Sequence, residues 1–256
     1  MRWRPGQDLL HLLELAAPAA CAGCAQPGTR WCAVCADALT ASPPRRWTPT
    51  PCPPGFPPTW TGAAYQDRVR QAVVGWKDGG RADLTPLLAG PLRSVLACAL
   101  GDSPVHRAAV RSGTPVPLLP APSARASTTA RGEHRVGVLV RAAGRGHRGA
   151  LPVVDALRLG RRVEDQAGLG ADARRRNLSG AVVVRTATAG RLRGLPCVVV
   201  DDVVTTGATL AECARALAEA GAGPVVAVTL AATHRRPPQG PRAAARGPLS
   251  EPSGRD

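Results

Sequence analysis

Cys197-Val198-Val199-Val200-Asp201-Asp202-Val203-Val204-Thr205-Thr206-Gly207-Ala208-Thr209-Leu210 is the stretch on which the reading of this chain turns. An apolar run of β type ends in two acids. A turn rich in hydroxyls follows, and then a helix whose Leu210, Ala214 and Leu217 share one face. Gly221 is suited to end that helix. In a parallel sheet this order sets the acids and the turn at the carboxyl edge of a strand, where open α/β folds bind ligands. The turn's N–H groups and the helix amino terminus then face one anion. Gly207 allows close approach beside Ala208, and the hydroxyls of Thr205, Thr206 and Thr209 complete a phosphate cradle. The carboxylates of Asp201 and Asp202 accept hydrogen bonds, so they suit vicinal hydroxyls rather than a second phosphate. One pocket thus asks for a sugar phosphate.

Working outward, apolar β-type runs at 116–119, 152–154, 181–184 and 224–230 alternate with helical stretches. This pattern predicts an α/β protein with an open parallel sheet and flanking helices. Residues 83–100 carry leucines and valines at helical spacing; Pro86 fits an early turn and Pro91 predicts a kink. Residues 59–72 are ambiguous between strand and helix. Two rival nucleotide motifs fail. A strand ending in two acids suits a P-loop protein only beside a Gly-Lys-Ser/Thr loop, and the sole lysine stands in Gly75-Trp76-Lys77-Asp78. Gly144 to Gly149 spaces its glycines as a dinucleotide loop does, but reads better as a loop leaving a helix.

Four of the eight cysteines fall within fifteen residues as Cys21-Ala22-Gly23-Cys24 and Cys32-Ala33-Val34-Cys35. Two such knuckles present four thiolates to one tetrahedral metal, and Pro27-Gly28 offers the turn between them. We read a structural zinc, standing in for a core too small to hold the module. Cys52 stands alone in a Pro-rich run, and Cys197 and Cys213 read as small core hydrophobes.

With 256 residues the chain accommodates one full domain and a small accessory module. Its 28 glycines and 26 prolines fall below the roughly 25–30 % that argues for disorder. Aromatic side chains are scarce, so Val, Leu and Ala must supply the core. The formal net charge is +15, carried by arginine, which attracts polyanions in a salt-dependent way. The five tryptophans all precede residue 77, as if packed around the cysteine module. Residues 7–16 read as a short amphipathic helix, because Asp8 and Glu14 interrupt what would otherwise mimic a signal sequence. The sequence has no uninterrupted apolar stretch of membrane-spanning length, so we expect a soluble, cytoplasmic protein. The domain reading is a helix and four-cysteine zinc module over 1–41, a Pro-rich linker over 42–58, a helical hood over 59–113, the sugar-phosphate domain over 114–233, and a disordered basic tail over 234–256.

Val198 to Leu210 resembles the phosphoribosyl pyrophosphate (PRPP) signature of type I phosphoribosyltransferases. The chain as a whole is similar to the ComF family, which joins an amino-terminal cysteine module to such a domain and is associated with DNA uptake in natural competence. The stretches that agree are Lys77 to Arg81, Leu119 to Ser123, Arg131 to His134, Asp165 to Leu169 and Arg174 to Asn177. The resemblance implies a type I phosphoribosyltransferase-like sheet plus a zinc module. It implies that Asp201 and Asp202 hold the ribose 2- and 3-hydroxyls and that Thr205 to Thr209 hold the 5-phosphate. Pyrophosphate would lie near Pro122 and Ser123 with Mg²⁺ bridging it, and Arg131 would neutralise it. Glu133 and His134 depart from the family pattern, as does Cys52, where many members carry a further Cys-x-x-Cys. Two functions follow: a PRPP-binding protein serving DNA uptake with single-stranded DNA as partner, or an active transferase acting on an unidentified base.

Overall fold

Valine supplies five of the eight residues of β6 (Cys197–Val204), and such a run suits a strand covered on both faces. The computed structural model describes residues 19–122, 134–147, 149–160 and 180–233. Strand β6 lies inside a five-stranded sheet with β1 (Arg45–Trp47), β2 (Thr59–Ala64), β3 (Leu118–Pro120) and β7 (Val225–Ala232), in the order β1-β2-β7-β6-β3. All neighbours run parallel except β1 and β2. Cys197 and Val199 pack into a core on one face, while Val198 and Val200 pack into a core on the other. Asp201 and Asp202 therefore leave the strand toward opposite faces.

The first core lies beneath α1 (Ala33–Thr40), α2 (Asp67–Lys77), α3 (Thr85–Asp102), α4 (Pro104–Ser112) and α5 (Arg135–Ala143). The second lies beneath α7 (Ala208–Glu219), beyond the short α6 (Thr186–Leu192). Both are built from Val, Leu and Ala, with Trp76 as the one fully buried indole among the described residues. Its N–H donates to Thr85 Oγ1 at 2.9 Å. Trp31 and Trp60 pack partly buried against the first core, and Trp47 meets Phe56 edge to face at 6.1 Å.

Several sequence expectations shift in register. The run at 152–154 contributes only an isolated bridge, Val153 to Leu118, because Pro152 has no N–H to give a ladder. The run at 181–184 yields β5 (Val182–Val184), which pairs antiparallel with β4 (Leu157–Leu159) in a separate ribbon instead of joining the main sheet. The ambiguous stretch resolves into β2 and α2. Gly62 permits the close pairing there, since a Cβ on it would lie 2.8 Å from the Leu230 carbonyl oxygen. Within the Pro-rich run, the proline-free Arg45–Trp47 forms the edge strand β1. Helix α3 runs on through Pro91. The carbonyl that Pro91 leaves unpaired belongs to Leu87, on the exposed side of the helix. The segment Ala82–Asp102 is long and apolar enough by composition to cross a membrane. It instead buries Leu88, Leu92, Val95 and Leu96 against β2, β7 and α5, as a core helix does.

Gly221, at φ +77°, ends α7 in a Schellman arrangement: its N–H donates to Ala218 O at 3.0 Å, and the Ala222 N–H to Leu217 O at 3.0 Å. Gly144 to His147 leave α5 as a turn. The expected helix over 7–16, Ser123, Arg131, the stretches 165–169 and 174–177, and the basic tail lie outside the described residues.

Candidate functional site

The acids sit within β6 rather than just beyond it, because Val203 and Val204 continue the ladder against Ala231 and Ala232. Strand, turn and helix then follow without a gap: Thr205 and Thr206 form the turn, and Gly207 precedes α7 at φ +75°. A left-handed residue at this point favours glycine. Thr206 Oγ1 accepts from the Ala208 N–H at 3.4 Å. The first-turn N–H groups of α7 have no intrahelical partners. Thr205, Thr206 and Thr209 are partly exposed, while Gly207 and Ala208 are buried. Part of that cover comes from the Pro-rich segment: a Cβ on Gly207 would lie 2.6 Å from Phe56 Cε2 and 3.1 Å from Pro49 Cγ.

The two acids differ sharply in their surroundings. Asp201 is partly buried, and its Oδ1 accepts the Asp202 N–H at 2.8 Å. Burial first, and then the charge of Asp202, push the Asp201 carboxyl well above the ordinary carboxylate range, with Lys77 opposing. Asp202 is only 2 % exposed, and Lys77 Nζ donates to its Oδ1 at 2.9 Å and its Oδ2 at 2.7 Å. Burial alone would depress the Lys77 ammonium, but the charges of Asp202 and Asp201 outweigh it and hold Lys77 above its usual range. Burial, reinforced by the charge of Asp202, also raises Tyr65, at the end of β2. On the other face, burial and then the charges of Asp201 and Glu212 push the Cys213 thiol of α7 well up.

Beside the acids, Ala121 continues β3 with its N–H donating to Val200 O at 2.8 Å, so Pro122 follows directly at the sheet's carboxyl edge. His134 Nε2 pairs with the Ala121 carbonyl at 3.0 Å. Burial holds that imidazole below its usual range, and because a carbonyl only accepts, Nε2 carries the proton and donates there. The structure thus sets Asp201, Asp202, Thr205 to Thr209 and Pro122 along the carboxyl edge of the sheet, with the two acids turned to opposite faces, while Ser123 and Arg131 lie outside the described residues. Sequence reasoning passed over Lys77 as a site residue. Its signal was present: one lysine among 33 basic side chains.

A Mg²⁺ ion keeps several waters and takes one or two carboxylates plus the oxygens of a phosphorylated substrate. Asp201 fits that donor set. Asp202 does not, since the Lys77 ammonium already stands across both of its oxygens and would repel a second cation there.

At the amino-terminal end, the thiols of Cys21, Cys24, Cys32 and Cys35 all lie within 4.8 Å of one another. Cys21 Sγ and Cys24 Sγ each stand 3.7 Å from Cys32 Sγ. A tetrahedron with Zn–S bonds of about 2.3 Å has edges of about 3.8 Å, so the set fits one zinc ion. Burial tends to raise Cys21, yet the amides of Cys32, Gly23 and Cys24 outweigh it and lower the thiol to about 6. Burial and the neighbouring thiols raise Cys35. Gly28, at φ +83°, makes the turn between the knuckles. Gly23 is needed for space, since a Cβ there would lie 2.7 Å from Cys35 Sγ. Arg81, paired with Asp83, donates to the carbonyls of Ala20 at 3.1 Å and Arg30 at 3.2 Å, fastening the module to the loop that follows α2. Cys52 is exposed and stands apart from the cluster.

Against this geometry, the family model for the phosphoribosyl transferase domain matches residues 161–243. None of the curated proteins compared matches the chain. The chain carries a phosphoribosyltransferase-like α/β domain preceded by a four-cysteine cluster suited to zinc.

Proposed function

We propose that the chain binds PRPP at the carboxyl end of β6. The observation that carries this reading is the unbroken order of strand, acid pair, Thr-Thr-Gly turn and helix start, within the matched domain. The amides of the turn and of the first turn of α7, with the Thr205, Thr206 and Thr209 hydroxyls, take the 5-phosphate. Asp201 and Asp202 take the ribose hydroxyls. Pyrophosphate lies toward Pro122 and Ser123, with Arg131 as its counter-charge. When bound, Mg²⁺ supplies charge neutralisation of the leaving pyrophosphate, with Asp201 as its carboxylate partner.

Should pyrophosphate leave C1 as a nitrogen nucleophile arrives, positive charge develops on the ribose. A carboxylate beside it lowers that barrier more than it favours the ground state. Among the described residues we identify no general base for such an acceptor, so we favour PRPP binding in a ComF-like role over turnover. In that role the zinc module and the arginine-borne charge of +15 engage single-stranded DNA during uptake, in the cytoplasm. Region 59–113, expected as a helical hood, contributes an inner strand of the sheet and Lys77 beside the acids.

Titration calorimetry of the purified chain with PRPP and Mg²⁺ tests the pocket, and unchanged heat in the Asp201→Asn/Asp202→Asn double variant removes the assignment. Pyrophosphate release across a panel of nucleobases separates the two functions: release makes the chain a transferase. Single-strand DNA affinity that does not fall with salt removes the polyanion role.

A further inference from the structure

Lys77 is the last residue of α2, and its backbone is well anchored. The preceding Trp76 is fully buried, and the Asp78 N–H closes the helix on Val74 O at 2.8 Å. Just beyond, the chain turns back so tightly that the Arg81 N–H reaches Gly75 O at 3.1 Å. Arg81 is in turn fastened to the cysteine module. The backbone from which Lys77 springs is thus fixed, and its ammonium reaches Asp202 from there. Its side chain is 34 % exposed, whereas that of Asp202 is 2 % exposed.

Burying a carboxylate without a partner is costly, and such a group neutralises itself by taking a proton or moves toward water. A carboxylate offers about four acceptor positions, and one ammonium bridging both oxygens occupies one on each. One position per oxygen remains, which matches the two donors of a vicinal diol. The choice of lysine is informative in a chain whose other 32 basic side chains are arginine. A compact ammonium bridges two oxygens of one carboxylate from a single atom, where the guanidinium fork needs a wider approach.

We propose that Lys77 is a positioning residue of the phosphoribose site, holding the Asp202 side chain in one orientation so that its remaining acceptor positions meet the ribose hydroxyls. This inference rests on the PRPP reading above. It adds a residue on α2, far from the signature in sequence, whose effect on the ligand passes entirely through Asp202.

The test is a double-mutant cycle read by PRPP calorimetry on the full chain, with circular dichroism to verify folding. Lys77→Met should weaken PRPP binding by about tenfold or more, and Lys77→Arg, which keeps the charge but not the compact single-atom bridge, by about threefold or more. On the Asp202→Asn background, Lys77→Met should add less than about twofold, because the group it acts through is gone. Equal additional losses on both backgrounds would overturn the role through Asp202, as would Lys77→Met binding like the parent. Should Lys77→Met fail to fold, the Lys77→Arg and Lys77→Arg/Asp202→Asn pair completes the same cycle, and additivity there overturns the proposal. A parent protein that does not bind PRPP at all overturns the site reading itself, whereas intact parental binding with an additive cycle overturns the Lys77 role alone.

Discussion

The ring of Phe56 lies directly against Gly207, so that the Pro-rich segment forms a wall over the turn between β6 and α7. Segments that look like a spacer in sequence are thus part of the site's enclosure. Between this segment and α7 runs a groove of about 840 Å³, lined by Pro53, Phe56 and Pro58 on one side and by Ala211, Arg215 and Ala218 on the other.

Gly207→Ala tests that wall. The substitution meets two penalties: a left-handed φ of +75° and overlap with Phe56 and Pro49. We expect a loss of about 1–3 kcal/mol in denaturant unfolding. Phe56→Ala introduced alongside should return only the steric share, leaving the backbone share in place. A loss fully restored by Phe56→Ala would show that the φ carries no cost.

Asp201 predicts an exchange of stability for function. Burial and the charge of Asp202 raise its folded pKa above the unfolded value, so its contribution is full below the unfolded pKa of about 3.9 and is lost as pH rises through the folded value. Asp201→Asn should therefore raise the melting temperature at pH 7 and not at pH 3, while weakening PRPP binding. The check is a pair of thermal melts at the two pH values; equal shifts at both would contradict the electrostatic cause.

His106 has the opposite sign. It is fully buried in α4, with Nδ1 paired to Ser103 Oγ at 2.8 Å and Nε2 to the Cys197 carbonyl at 3.1 Å. Burial depresses its pKa, so its stabilisation is present above the unfolded pKa of about 6.5 and fades as pH falls through the lower folded value. His106→Leu removes the hydrogen bonds to the Cys197 carbonyl and to Ser103 Oγ and should cost about 1–3 kcal/mol at pH 7. It should also flatten the stability profile on the acid side of neutrality, which urea titrations across pH 5–7 will measure.

For the four thiols, elemental analysis should find about one zinc per chain. Removing it with a chelator should lower the melting temperature, because metal binding is folding free energy for so small a module. Cys35→Ser, at the most enclosed ligand, should abolish stoichiometric zinc, whereas Cys52→Ser should leave the metal content unchanged. A fully folded, metal-free parent would end the assignment.

Much of this architecture was legible because local sequence dictates it. The valines of β6, the glycine that ends α7 and the paired cysteine knuckles each specify their structure within a few residues. The stretch Thr59–Ala64 was not legible, because small residues and two threonines show neither alternation nor helical spacing. Its identity comes from its partners: Thr61 Oγ1 pairs with Thr229 Oγ1 at 3.0 Å across the ladder with β7, a residue 168 positions away. The β5 run looked like a sheet strand for the same reason that β6 did, since apolar content marks burial and not which sheet provides it.

Read alone, the amino-acid order determines that a β strand delivers two acids and a Thr-Thr-Gly turn to the start of a helix, because each step follows from backbone propensity and hydrogen-bond chemistry among neighbours. What only the tertiary structure decided is how those acids differ. Asp202 meets Lys77 across 125 residues of chain and Asp201 does not. Successive side chains on a strand face opposite sides of the sheet, and only the packed fold puts α2 on one side and α7 on the other.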